Sequence, residues 1–239
     1  MISVCITTFN RTDLLFESFA QIENDERVSE IVIVDDHSTL DIQWILADRL
    51  KGPKFKFITN ERNLGCYANK REAVSRASSE WVILFDSDNI LTPQYIDRIE
   101  NLMIAGVNLK TLYQPEFARP HFNFAEFSGI NFTKANVAKH AAHNVTFCTM
   151  LNAMNYFVNR DEYLRVWENR LEPWTADSLF QNYNWLNAGN SIYVVPGLEY
   201  DHRVHEGSHY KEHFRKTESA GSNGRNLYNE LVSKLKLLS

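Results

Sequence analysis

The chain of 239 residues is 44% hydrophobic and 13% aromatic, enough apolar side chain for one large core or two small ones. With 25 basic and 30 acidic residues its formal charge is −5, which argues against a surface made for nucleic acid or anionic membrane. Three scattered cysteines, Cys5, Cys66 and Cys148, form neither a disulfide framework nor a C-x-x-C zinc pair and fit a reducing, cytoplasmic setting. The start, Met1 to Val4, lacks the pattern of a signal peptide, and no apolar run approaches the roughly 20 residues of a membrane span.

The first hundred residues alternate strand and helix. Residues 2–8 read as a strand, and Thr12 can cap a helix with the apolar stripe Leu15, Ser18, Phe19 and Ile22. A second strand, Glu30 to Val34, ends in Asp35-Asp36-His37-Ser38. The helix expected after it carries Ile42, Ile45, Leu46 and Leu50 and stops at Gly52-Pro53. Phe55 to Ile58 is a third strand, and the Asn63-Leu64-Gly65 turn opens a helix to about Ala77. The run Trp81-Val82-Ile83-Leu84-Phe85 reads as a fourth, buried strand ending in Asp86-Ser87-Asp88-Asn89. Thr92-Pro93 then starts a helix whose stripe is Ile96, Ile99, Leu102 and Met103. Repeated strand–helix units of this kind predict a right-handed, mostly parallel, Rossmann-like half.

After residue 106 the rhythm is lost. A few mixed strands are expected over 107–160, with a helix near 133–142, and helices follow from Arg160 to about Glu168 and from Asp177 to about Ala188. Ser191 to Val195 reads as a strand. The tail, 225–238, is amphipathic, with Leu227, Leu231, Leu235 and Leu238 on one face, a stripe for the core or for a homodimer. No linker or repeat separates the halves, so residues 1–239 read as a single domain.

Three polar strand ends fall on one sheet edge: Thr7 to Arg11, Asp35-Asp36, and Asp86 to Asp88. The carboxyl edge of an open α/β sheet is where ligands bind. Two carboxylates two residues apart, such as Asp86 and Asp88, repel unless a cation joins them, which points to a divalent metal holding a phosphate-bearing substrate. Each segment alone is also an ordinary turn, since Asp, Ser and Asn are turn formers. Lys70 and Arg71, early in the third helix, could face the phosphates or lie on a solvated helix face.

The succession Thr7-Thr8-Phe9-Asn10-Arg11, Val34-Asp35-Asp36-His37-Ser38, Asn63-Leu64-Gly65 and Phe85-Asp86-Ser87-Asp88-Asn89 resembles the family 2 glycosyltransferases. The resemblance implies a GT-A fold: residues 1–106 form the half that binds a nucleotide-diphosphate sugar, and residues 107–239 form a mixed-sheet, acceptor-side half. It implies nucleotide contacts from Thr7, Phe9, Asp36 and Lys70, with Arg11, Asp35 and Ser87 in the same motifs. Asp86 is expected to serve the ribose or the metal's water shell, and Asp88 to ligate the metal. Phe9 stands where the family usually has Tyr, so its contact must be apolar. Lys70 stands at a usual Arg position and Arg71 at a usual Asn. In the second half, Trp174-Thr175-Ala176-Asp177 resembles the motif that sets a general base, here Asp177, beside an acceptor hydroxyl. Its ordinary alternative is a helix-start Asp favoured by the dipole. Val195-Pro196 followed by His202 resembles a GT-A pattern in which a His completes the metal site, with His205 the second choice. A carboxylate–imidazole set suits Mn²⁺ better than Mg²⁺.

Other readings compete. His205-Glu206-Gly207-Ser208-His209 matches the H-E-x-x-H zinc protease motif, but that motif needs a helix and Gly207 disfavours one. A strand ending in Asp-x-Asp is also the nucleophile pattern of haloacid-dehalogenase-type phosphatases, although there the strand usually comes first in the sheet. A sugar-nucleotide-binding module without activity is the non-enzymatic alternative. Neither G-x-G-x-x-G nor a P-loop motif occurs.

Overall fold

A computed structural model of the chain describes residues 1–143, 145–169, 177–204 and 223–238. The first half follows the expected alternation: β1 (Ile2–Thr8), α1 (Thr12–Phe19), β2 (Val28–Asp35), α2 (Ile42–Ile45), β3 (Phe55–Thr59), α3 (Cys66–Arg76), β4 (Trp81–Asp86) and α4 (Pro93–Ala105). The second half contributes β5 (Thr111–Arg119), β6 (Phe122–Asn123), β7 (Asn131–Phe132), α5 (Lys134–His143), α6 (Val145–Leu151), β8 (Phe157–Asn159), α7 (Arg160–Val166), α8 (Asp177–Asn187) and β9 (Ser191–Asp201). A C-terminal helix covers Asn223–Lys236. All strands join one sheet in the order β3-β2-β1-β4-β8-β5-β9-β7, with β6 hairpinned onto β5. The strands β3, β2, β1 and β4 are mutually parallel. Strand β8 enters antiparallel to both β4 and β5, and so joins the two halves into one mixed sheet.

Side-chain alternation along the strands feeds two cores, one on each face. Val4, Ile6, Ile31, Ile33, Ile83 and Phe85 pack with Leu15 and Phe19 of α1 and Ile96 and Ile99 of α4. Cys5, Val32, Val34, Val82 and Leu84 pack on the other face with Val74 of α3 and Leu179 of α8. Leu231, Leu235 and Leu238 of the C-terminal segment are buried in this second core, so that stripe serves the chain's own packing. No described helix is long and apolar enough to cross a membrane.

Helix α6 is not expected from the sequence, and two further elements depart from the expectation. The helix expected through Leu50 is a single turn, although Asp41 caps it by accepting from Trp44 N at 2.9 Å. Ile42 and Leu46 are buried while Trp44 and Ile45 stay exposed, which leaves too little core contact to propagate a helix. Strand β9 runs through Pro196-Gly197 to Asp201 instead of stopping at Val195. Its pairing with β5 shifts register between Pro115 and Phe117, so the proline sits at an irregularity where no ladder donor is required. Gly197, at φ 71°, donates its N–H to the Glu116 carboxylate at 2.5 Å. This extension carries the chain back to the Asp86–Asn89 turn, where Ile90 and Asp201 form an antiparallel bridge.

Candidate active site

The sheet register brings the polar strand ends together. Thr7 lies opposite Asp86 on β4, and Thr8 lies opposite Asp35 on β2. Thr7 and Thr8 are buried, whereas Phe9, just past the strand, is 37% exposed and can offer an apolar face. The loop after β1 is tied to the loop after β2: Asn10 N donates to Ser38 Oγ at 2.7 Å, and Thr39 N donates to Asn10 Oδ1 at 2.9 Å.

The acidic pair on β2 braces this edge. Asp35 accepts from Ser38 N at 3.1 Å and from Ser38 Oγ at 2.5 Å. Burial pushes its carboxyl above the usual range despite those donors. Asp36 accepts from Leu64 N at 2.7 Å, Gly65 N at 2.9 Å and Asn60 Nδ2 at 2.9 Å. Its carboxylate therefore fastens the Asn63-Leu64-Gly65 turn that opens α3. Gly65 adopts φ 83°, a conformation that explains the glycine there.

The centre of the site is Lys70. Its ammonium lies 2.7 Å from Asp177 Oδ2, at the start of α8, and 3.2 Å from Asp86 Oδ1, at the end of β4. Burial alone would lower the Lys70 pKa, but the Asp177 and Asp86 charges outweigh it and hold the ammonium well above its usual range. Burial raises the Asp86 carboxyl, with Lys70 opposing it and Asp88 reinforcing it. One buried cation thus joins two carboxylates from opposite halves of the chain. Arg71 does not share this role; its guanidinium lies over the Trp167 ring at 5.3 Å and reaches Glu72 at 3.8 Å.

The turn after β4 is fixed through its backbone. Asp86 N donates to Asn155 Oδ1 at 2.7 Å, and Ser87 N donates to Thr7 O at 3.3 Å. Ser87 is fully buried. The Asp88 carboxylate pairs with Arg11 Nη1 at 3.0 Å. His202 reaches this region at the end of β9, and its backbone N–H donates to Arg119 O at 2.6 Å. Its Nδ1 lies 2.9 Å from His121 Nδ1, which is also 3.1 Å from His202 O. Burial and His121 hold the His202 imidazole below its usual range against the pull of Asp88.

The edge therefore gathers Thr7, Phe9, Arg11, Asp35, Asp36, Lys70, Asp86, Ser87, Asp88, Asp177 and His202. His205, Trp174 and the H-E-x-x-H match lie outside the described residues. Asn155 and His121 were not anticipated; the only local signal was a polar residue beside a strand, which is too common to single either out. As a metal centre the set is open. Among the described residues, no group of three or more His, Cys, Asp and Glu is arranged to hold an ion. What is present is a carboxylate with an imidazole within its electrostatic reach, a donor set that fits a hard divalent cation only when phosphate oxygens supply the remaining ligands.

Comparison with known proteins identifies the family and the fold. Residues 3–158 match the model of glycosyl transferase family 2. A curated relative, the succinoglycan biosynthesis protein ExoO of Rhizobium meliloti (strain 1021), is 22% identical over 228 residues, covering 87% of this chain and 62% of its own. The GalNAc(5)-diNAcBac-PP-undecaprenol beta-1,3-glucosyltransferase of Campylobacter jejuni is 32% identical over 93 residues, 38% of this chain and 30% of that one. The crystal structure of S. aureus TarS residues 1–349 with UDP-GlcNAc superposes with a TM-score of 0.70 at 16% identity, covering 98% of this chain and 65% of TarS. The same TarS segment with UDP gives 0.68 at 14% identity, covering 98% and 70%. The chain thus spans under two thirds of the length of ExoO and of the TarS chain with UDP-GlcNAc. By its family match and its GT-A architecture, the chain belongs to glycosyl transferase family 2.

Proposed function

We propose that the chain transfers a sugar from a nucleoside-diphosphate donor to a hydroxyl acceptor with inversion, and that Asp177 is the general base. The observation that carries this reading is the Asp86–Lys70–Asp177 bridge, which sets the candidate base against the donor edge. Lys70 holds the Asp177 carboxylate in place through a 2.7 Å contact. The acceptor hydroxyl gives its proton to Asp177 while its oxygen forms the bond to the anomeric carbon. The bond from that carbon to the diphosphate breaks on the opposite face, and its electron pair leaves with the diphosphate. Phe9, Arg11 and Asp86 line the nucleotide's place, Thr7, Asp35 and Ser87 are buried in the same strand ends, and Asp36 acts on it through the Leu64-Gly65 turn. Asp88, with His202 within its electrostatic reach, would hold Mn²⁺ or Mg²⁺, which when bound would neutralise charge on the leaving diphosphate.

Two structural neighbours were solved with UDP or UDP-GlcNAc, which makes uridine nucleotides the first to test. The test is a thermal-shift panel of UDP-, GDP-, dTDP- and CMP-sugars with and without Mn²⁺. A ligand at a hundred times its Kd stabilises the fold by about 2.7 kcal/mol, a rise of roughly 5–10 °C for a domain of this size. One nucleotide class is expected to give that rise, larger with Mn²⁺. A flat panel at millimolar ligand would exclude a donor site.

A further inference from the structure

Resting on the donor-site reading above, we infer that Arg203 is a positioning residue that sets the Asp88 carboxylate. Its half-buried guanidinium draws together three backbone carbonyls of one turn. Nε donates to Asp88 O at 2.6 Å, and Nη2 lies 3.4 Å from both Ser87 O and Asn89 O. The same Nη2 donates to Leu14 O of α1 at 2.9 Å, and Nη1 pairs with Glu17. The Arg203 backbone N–H closes the arrangement by donating to Asn89 Oδ1 at 3.2 Å.

These contacts join three segments that the proposed donor site needs in fixed relation. Helix α1 follows directly on Arg11, whose guanidinium meets the Asp88 carboxylate. The turn carries Asp88 itself, and the end of β9 carries His202 beside Arg203. Convergent carbonyls form a local concentration of negative partial charge, and Arg offers a planar fork of donors that matches it. Lysine has a single ammonium and cannot reach all of them from one position. Asp88 is thus held twice, by Arg203 at its carbonyl and by Arg11 at its carboxylate, and Arg203 fixes the origin of both holds. It touches no reacting atom; it acts through Asp88.

Groups that orient a metal's ligands commonly change its affinity by 10- to 100-fold when removed. Arg203→Ala is therefore expected to shrink the Mn²⁺-dependent gain in nucleoside-diphosphate affinity by at least tenfold. The experiment titrates UDP, GDP, dTDP and CDP by calorimetry into wild type, Arg203→Ala, Arg203→Lys and Arg27→Ala, with and without Mn²⁺. The ratio of the two Kd values is the readout, because a merely structural loss lowers Tm without changing that ratio in protein that remains folded. Arg27 pairs with Asp25, Asp97 and Glu100 away from the carboxyl edge, and its variant should keep the wild-type ratio. Arg203→Lys should lose part of the gain, and it decides the matter if Arg203→Ala does not fold. A wild-type ratio in whichever Arg203 variant folds overturns the assignment. Wild-type protein that binds no nucleotide overturns the donor-site reading itself, and this inference with it.

Discussion

Replacing Lys70 by Met tests the bridge at the centre of the site. The side chain is 7% exposed and its ammonium serves two carboxylates, themselves 14% and 27% exposed. Met keeps most of the volume, so the main loss is electrostatic: two largely buried carboxylates are left without their cation. Removing one partner of a buried pair costs about 3–5 kcal/mol. For a domain of this length that corresponds to a fall in Tm of roughly 6–20 °C. The pH dependence identifies the cause. In the wild type the Lys70 pKa is raised, so its contribution is complete below the unfolded lysine value and fades only in strong alkali. Without Lys70 the burial of Asp86 loses its main opposing charge, leaving only the weaker pull of Arg11, and its folded pKa climbs further above the unfolded one. A carboxyl with a raised folded pKa favours the fold at low pH and penalises it as pH rises. The deficit of Lys70→Met should therefore be larger at pH 7.5 than at pH 5, measured by urea unfolding against wild type at each pH. Adding Asp177→Asn to Lys70→Met should return part of the loss, a non-additivity expected of groups in contact. A deficit under about 1 kcal/mol that is the same at both pH values would refute the reasoning.

Asp88→Asn should weaken nucleoside-diphosphate binding in Mn²⁺ by about 10- to 100-fold and leave metal-free binding nearly unchanged, as read by calorimetry. Glu30 makes a separate prediction at the opposite sheet edge. Burial raises its carboxyl, but Ser3 Oγ, Ser78 N and Oγ, and Lys56 outweigh that and pull it down to about 2 from 4.5. A depressed carboxyl stabilises the fold above its unfolded pKa, and that stability is lost as pH falls from about 4.5 to about 2. The shift is worth on the order of 3 kcal/mol, so the stability gap between wild type and Glu30→Gln should be constant from pH 6 to 8 and close below pH 4. Gly197→Ala should lower Tm: its φ of 71° disfavours alanine, and the new Cβ would fall 2.5 Å from Arg98 Nη2. An unchanged melting curve would show that Arg98 simply moves aside and that the backbone conformation is tolerated.

The first half was legible because its signals were local. Apolar strands ended in polar turns at even intervals, so the parallel order and the convergence of Thr7, Asp35 and Asp86 followed from the chain's rhythm. The second half was less readable because its key pairings are non-local. Three residues, Phe157 to Asn159, form the strand that joins the two halves, and nothing in so short a run announces that it lies antiparallel between β4 and β5. Among the site residues, type was legible and partnership was not. Lys70 stood in the sequence as a phosphate contact, and the fold adds that it sits between Asp86 and Asp177, 107 positions from the latter. Asp36 stood as a nucleotide contact, and the fold adds that its carboxylate holds the Leu64-Gly65 turn. In each case a long-range partner decides where the charge points, and sequence spacing carries no record of that partner.

In the proposed reaction Asp177 takes the acceptor's proton while other residues hold the donor. The direct measurement is one paired comparison of wild type and Asp177→Asn: donor affinity by calorimetry, and sugar transfer by product mass with the donor found in the panel. Donor affinity within about threefold of wild type together with a 10²- to 10⁴-fold loss of transfer is the predicted result. Transfer at the wild-type rate by Asp177→Asn would contradict it.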